Sequence, residues 1–303
     1  MTARLDETSS TKFFARLDPS HNTGMNARSD TLSAQTVGSE RFDFGENWRR
    51  FLRVLTNERI AAAEESLCLM LTTNRLEGRT FLDIGSGSGL FSLAARRLGA
   101  HVHSFDVDPQ SVACTKELRQ RYFPADPDWT VATASVLDRT YLGTLPKFDI
   151  VYSWGVLHHT GNVWQAIENG SAMVKREGMF FIALYNDQEG ISRRWAAIKR
   201  LYVRSSRPVR LLLAGCCFLW AHGPKIVKSI VRGKGLKVFL DPRRGMSPWR
   251  DVVDWAGGYP FEVCKAGEVF DFLRTRGFTL VRLVTTHGSG CNEFVFRKYS
   301  DAA

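Results

Sequence analysis

Residues Phe81–Phe91 constrain the fold of this chain more than any other stretch. They read as a short apolar strand, an acid at its end (Asp83), then Gly85-Ser86-Gly87-Ser88-Gly89, then an apolar helix start at Leu90-Phe91. Three glycines at alternate positions let a strand turn sharply into a helix, with backbone that a ligand can approach closely. The start of a helix also presents N–H groups that favour negative charge. The expectation is therefore a strand–turn–helix unit with a ligand seated on the turn.

The flanking sequence repeats the strand–helix theme. Leu90–Leu98 reads as a helix, Val102–Phe105 as a strand and Gln110–Arg121 as a helix after Pro109. Thr130–Thr133 and Phe148–Ser153 read as strands, Val163–Val174 as a helix and Met179–Tyr185 as a fifth strand. Apolar strands alternating with helices predict a doubly wound α/β fold whose mostly parallel sheet is covered on both faces. The pattern stops at Asn186. It resumes with a helix at Ala266–Arg276 and two strands, Thr279–Thr286 and Glu293–Arg297, spaced to pair as an antiparallel hairpin. This predicts seven strands, with a helical insertion over residues 187–258 following the fifth. Residues 1–40, rich in Ser, Thr, Asn and Asp, are expected to be disordered, and residues 41–75 to form N-terminal helices of a single domain spanning 41–303.

Charge is concentrated in the insertion. Between Asp187 and Arg250 there are 15 Lys and Arg against 3 acids, a net +12, so the rest of the +10 chain carries −2. The longest fully apolar run, Leu211–Ala221, is eleven residues, short of the roughly 20 that a membrane span needs. Arg204, Arg207 and Arg210 precede this run; Lys225, Lys228, Arg232, Lys234 and Lys237 follow it. Three roles stay open for 204–237: a cap helix with a solvated basic rim, peripheral contact with an anionic membrane surface, and polyanion binding. The six cysteines form no CxxC pair and no His stands at a zinc spacing from them, so reduced thiols, no metal and a cytoplasmic location are expected.

Two details of the turn favour a sulfonium cofactor over a dinucleotide. Asp83 precedes the first glycine, which suits a cationic amino group better than a pyrophosphate. The third glycine of the dinucleotide pattern would fall at position 90, which is Leu90. Asp106, 21 residues after Gly85, ends the second strand and can accept hydrogen bonds from ribose hydroxyls; Asp108 competes for that role. These motifs, in this order, resemble class I S-adenosylmethionine-dependent methyltransferases. Gly45-Glu46-Asn47-Trp48 and Gly290-Cys291-Asn292-Glu293-Phe294 are similar to a branch near the ubiquinone-biosynthesis O-methyltransferases. The resemblance implies cofactor contacts at Asp83, Gly85, Ser86, Gly87, Gly89, Asp106 and Val107, adenine contacts at Ser135 and Val136, and a contact to the methionine arm at Ser153, beside Trp154. The motifs do not name the acceptor, and hydroxyl and carbon acceptors both stay open; if the insertion contacts membrane, a lipid-linked acceptor such as a polyprenyl phenol or a glycolipid hydroxyl is expected.

A hydroxyl acceptor must lose its proton. Histidine suits that task at neutral pH. His158 and His159 lie just past the fourth strand, at the sheet edge where doubly wound folds bind ligands. His159 is the candidate base; a purely structural role for the pair is the competing reading. Tyr185 and Asn186 are candidate acceptor contacts, and Trp48 a candidate cover for the site. The stretch Ser153-Trp154-Gly155-Val156 lacks the Asn/Asp-Pro-Pro-aromatic run of enzymes that methylate base amino groups, which argues against nucleic acid as acceptor. Two other function classes remain: a nicotinamide-dependent oxidoreductase, and a non-catalytic RNA- or membrane-binding module.

Overall fold

A computed structural model describes residues 45–231, 248–288 and 290–299. The expected disorder of 1–40 lies outside the described residues. The elements, in order, are α1 (Gly45–Arg53), α2 (Asn57–Leu71), β1 (Thr80–Ile84), α3 (Leu90–Arg97), β2 (His101–Asp106), α4 (Pro109–Tyr122), β3 (Trp129–Thr133), α5 (Arg139–Gly143), β4 (Phe148–Trp154), a 3-10 turn (Leu157–His159), α6 (Val163–Ala172) and β5 (Val174–Tyr185). The insertion follows as α7 (Gly190–Arg204), α8 (Arg207–Val231) and α9 (Pro248–Gly257). The chain then returns through α10 (Ala266–Arg274), β6 (Phe278–Val284) and β7 (Cys291–Lys298).

The seven strands form one sheet in the order β3-β2-β1-β4-β5-β7-β6. β7 alone runs antiparallel, to both β5 and β6; the other pairings are parallel. The strand order reverses between β1 and β4, which opens a crevice at the carboxyl ends of those strands, beside the glycine turn. Strand β1 is buried on both faces, as a central parallel strand must be. On one face Leu82, Ile84, Phe105, Val151 and Ile182 pack under α5, α6 and α10. On the other, Phe81, Tyr152, Phe181 and Val295 pack under α1 to α4.

Helix starts follow local chemistry. Asp108 caps α4, its carboxylate accepting from the Gln110 and Ser111 amides, with Pro109 at the first helical position. Asp138 and Asn162 cap α5 and α6 in the same way. Most boundaries fall within a residue or two of expectation, and the largest difference is at β5. β5 begins at Val174 rather than Met179, because the chain continues through an irregular pairing with β4 in which Glu177 takes φ 58. Lys175 ties this end to Asp149 at 2.9 Å, and the same carboxylate accepts from the Thr80 amide and hydroxyl.

The insertion forms its own small core of Trp195, Tyr202, Ala214, Cys217, Val252 and Ala256. The chain after it bridges Cys264 to Asn186, just past β5, and the Cys264 amide donates to the Tyr185 carbonyl. Lys199, fully buried on α7, donates to the Trp255 carbonyl, with its ammonium 4.0 Å from the Trp255 ring centre and 4.8 Å from that of Phe261. That cation fastens α7 to α9 and to the returning segment.

Candidate active site

The glycine turn is held by the strands around it. The amides of Gly85 and Ser86 both donate to the Phe105 carbonyl at the end of β2, at 2.8 and 3.1 Å. The Gly89 amide donates back to Ser86, and the Gly87 amide donates to the Asp106 carboxylate at 3.0 Å. The expectation of free amides across the turn is therefore corrected: those of Gly85, Ser86, Gly87 and Gly89 are all engaged within the protein. The turn offers a ligand close backbone approach rather than a nest of unused donors. Side chains could not occupy it. A Cβ on Gly85 would lie 2.4 Å from Val156 Cγ1, and one on Gly89 would lie 2.9 Å from the Thr115 backbone, both at positive φ. The Trp48 indole packs over Gly87, where a Cβ would meet it at 3.0 Å, so α1 does bring Trp48 to the turn.

The two strand-end acids have different environments. Asp106 is half-buried, and its carboxylate accepts from the Gly87 amide on one oxygen and the Asp108 amide, at 2.9 Å, on the other. Both Asp108 oxygens accept from the start of α4. Asp83 is 2% exposed and accepts from Ser92 at 2.5 Å; Ser92 in turn contacts Ser104, and Trp129 donates to Ser104. Burial pushes the Asp83 carboxyl up to about 7; the Ser92 hydrogen bond opposes that rise and the Asp106 charge adds to it. Asp83 thus braces β1, α3 and β2 beneath the turn.

The remaining positions line up along the carboxyl edge. Val107 is 41% exposed beside Asp106, an apolar platform next to a carboxylate. Ser135 turns the chain after β3 by accepting from the Leu137 amide. Val136 is buried in the core, and its carbonyl accepts from Asn169 at 2.9 Å. Ser153 is fully buried, and its hydroxyl donates to the Ile84 carbonyl at 3.0 Å. This bond ties β4 to β1 at the base of the crevice.

The two histidines divide the roles that the sequence left open. His158 is fully buried, and its Nδ1 accepts from the Tyr185 amide at 3.2 Å. Burial first, then His159 and the Lys199 charge, hold its pKa well below the usual value, so it stays neutral and structural. His159 is partly exposed, with Nδ1 2.6 Å from the Pro260 carbonyl. A carbonyl only accepts, so Nδ1 carries the proton, and neutral His159 holds its lone pair on Nε2. That is the tautomer a general base requires.

Pro260 and Glu262 have no signal in the sequence. The Glu262 amide donates to the His158 carbonyl, and its carboxylate accepts from the Val163 amide at 3.1 Å. Burial raises that carboxyl to about 7, against the backbone hydrogen bonds of Val163 and Gly161. The returning strap therefore holds the histidine loop at three points. Next to it lies a small recess, of about 10 Å³, lined by Tyr185, Asn186, Ser192, Trp195, Trp255 and Phe261. Tyr185 and Asn186 are where the sequence expected acceptor contacts; Trp255 comes from the insertion and Phe261 from the strap after it, and both could only be found from the tertiary fold.

Comparison with known proteins agrees with this geometry. Residues 82–180 match a methyltransferase domain family. The chain is 32% identical over 133 residues to the ubiquinone biosynthesis O-methyltransferase of Brucella ovis, covering 42% of this chain and 52% of that protein. It is 43% identical over 58 residues to the ribosomal protein L11 methyltransferase of Photorhabdus laumondii, covering 18% of this chain and 20% of that protein. The chain thus spans about half the length, or less, of these curated relatives. Among solved structures, magnesium protoporphyrin IX methyltransferase from Synechocystis PCC 6803 aligns at a TM-score of 0.49 and 15% identity, over 84% of this chain and 94% of that one. The matched segment runs from the end of β1 into β5, so the part of the chain built around the glycine turn and Asp106 is similar to a methyltransferase domain.

Proposed function

We propose that this protein transfers a methyl group from S-adenosylmethionine to a hydroxyl of a small or lipid-linked acceptor, with His159 as the general base. The observation that carries the reading is the pairing of Asp106 with the Gly87 amide at the carboxyl edge of β2, which positions a carboxylate against a turn that tolerates no side chain. Asp106 would hold the ribose. Val107 and the Ser135–Val136 turn would flank the adenine, and the crevice between Gly85 and Trp154 would take the methionine arm. When bound, the cofactor supplies an electrophilic methyl on a sulfonium sulfur.

The protein's own part is alignment, exclusion of water and removal of one proton. The Pro260 carbonyl fixes the ring of His159 so that Nε2 can take the acceptor's hydroxyl proton. Tyr185, Trp255 and Phe261 give an apolar wall for a ring or an isoprenoid end. Trp48 over Gly87 would shield the cofactor side. Support for the O-methyl reading comes from His159, from the relative in quinone biosynthesis and from the absence of a Pro-Pro-aromatic run after β4. The insertion also supports peripheral attachment at a membrane's inner face. The test is transfer of labelled methyl from S-adenosylmethionine into the aqueous and chloroform-soluble fractions of a cell extract, with the product identified by mass. Label in a chloroform-soluble O-methyl ether is the expected result. No transfer, together with no thermal shift from S-adenosylhomocysteine, would remove the assignment.

A further inference from the structure

The insertion has an outer surface that its inner packing does not explain. On α8, Ala214, Cys217 and His222 are buried toward α7 and α9. The opposite side carries Leu212, Leu219 and Trp220 at 66%, 65% and 54% exposure, with Val209 and Cys216 also exposed; Leu211, near the start of α8, and Leu201 on α7 are exposed too. Val209, Leu212, Cys216 and Leu219 recur every three or four residues and Trp220 adjoins them, so they form one stripe along the helix. Soluble surfaces carry scattered apolar residues but seldom a continuous stripe of this kind.

Cations border it. Arg193, Arg194, Arg200 and Arg204 are exposed on α7, and Arg207 is exposed at the corner into α8. No acid occurs in the sequence from Gly190 to Val231. No helix among the described residues is long and apolar enough to cross a membrane, so α8 would lie on a surface rather than through it. We propose that the outer face of α7 and α8 docks on an anionic lipid bilayer, with Leu212, Leu219 and Trp220 in the headgroup–acyl boundary and the arginines at the phosphates. A bilayer interface takes up both halves of this surface at once: aliphatic and indole side chains enter the boundary while arginines neutralise acidic headgroups. A nucleic acid would use the arginines and leave the leucines in water.

The docking face also reaches the recess. Trp220 contacts Trp195 with ring centres 5.5 Å apart, and Trp195 packs against Trp255 at 5.4 Å; both inner tryptophans line the acceptor side. An acceptor held in the bilayer could therefore approach the recess from beneath the same helices. That last link rests on the methyl-transfer reading; the docking does not.

The test is co-flotation of the full chain with vesicles of phosphatidylcholine alone, or of phosphatidylcholine with phosphatidylglycerol, at low and high salt. Thermal shift by S-adenosylhomocysteine is measured in parallel, so that loss of docking is distinguishable from loss of cofactor binding. The expected result is flotation with phosphatidylglycerol vesicles only, falling by more than about tenfold in Leu212→Glu/Leu219→Glu. It should weaken about fivefold for each exposed arginine changed to Gln, among Arg194, Arg204 and Arg207. The ligand-induced shift should be retained in every variant. Absence of flotation, equal flotation of the double variant, a dimer of the wild type that the double variant abolishes, or preference for single-stranded RNA over vesicles would each overturn the proposal.

Discussion

Replacing Asp106 with alanine tests the cofactor geometry at its centre. The side chain accepts the Gly87 amide at 3.0 Å and the Asp108 amide at 2.9 Å, and in the proposed function the same carboxylate holds the ribose. Hydrogen bonds to a charged acceptor are worth about 1.5–3 kcal/mol, so losing the ribose contact weakens binding about 10- to 150-fold. The Gly87 amide loses its partner as well. A net cost of about 1 kcal/mol for that bond lowers the melting temperature by roughly 2–4 °C in a chain of this size. Isothermal titration with S-adenosylhomocysteine measures the first effect and thermal unfolding the second. Asp108→Ala is the control. It removes the cap of α4 and costs about 0.5–2 kcal/mol of stability, while the dissociation constant stays within about twofold. If Asp106→Ala binds like the wild type, or if Asp108→Ala carries the loss of affinity, the assignment of the ribose to Asp106 is wrong.

Gly87→Arg forces a long side chain into the space held by the Trp48 indole, and should abolish the thermal shift given by S-adenosylhomocysteine; a preserved shift would refute the turn as the cofactor site. His159→Gln should lower the methyl-transfer rate by about 10²- to 10⁴-fold while leaving cofactor affinity unchanged, measured by single-turnover kinetics beside titration. Asp83 gives a pH signature. Its folded pKa of about 7 lies above the ordinary 3.8, so the folded chain holds this proton more tightly than the unfolded one. Its contribution is full below about pH 4 and is lost as pH rises through 7. Asp83→Asn, which can keep the Ser92 contact, should therefore gain in melting temperature relative to wild type between pH 5 and pH 8; a constant difference would contradict a buried, protonated carboxyl.

The sheet was legible because its signals are local. Thr80–Ile84 is apolar on both faces, Asp108-Pro109 starts a helix, and the glycines at 85, 87 and 89 leave little besides a tight turn. The order of the last two strands, with β7 placed between β5 and β6, is consistent with the expected hairpin. The site was legible as a set of positions along the sheet edge but less so as chemistry. The sequence marks Asp83 and Ser153 without their protein partners, Ser92 and the Ile84 carbonyl, which neighbouring elements supply. The different partners of His158 and His159, Tyr185 and Pro260, lie 27 and 101 residues away in the chain. No periodicity can report contacts of that range.

The strap from Tyr259 to Cys264 sets a rule for chimeras. Its main chain fixes the ring of His159 through Pro260, meets the His158 carbonyl through the Glu262 amide and meets the Tyr185 carbonyl through the Cys264 amide. A donor module grafted between residues 187 and 258 would leave the His159 ring oriented, provided the six residues after the graft keep their register. A splice made a few residues later would release the imidazole.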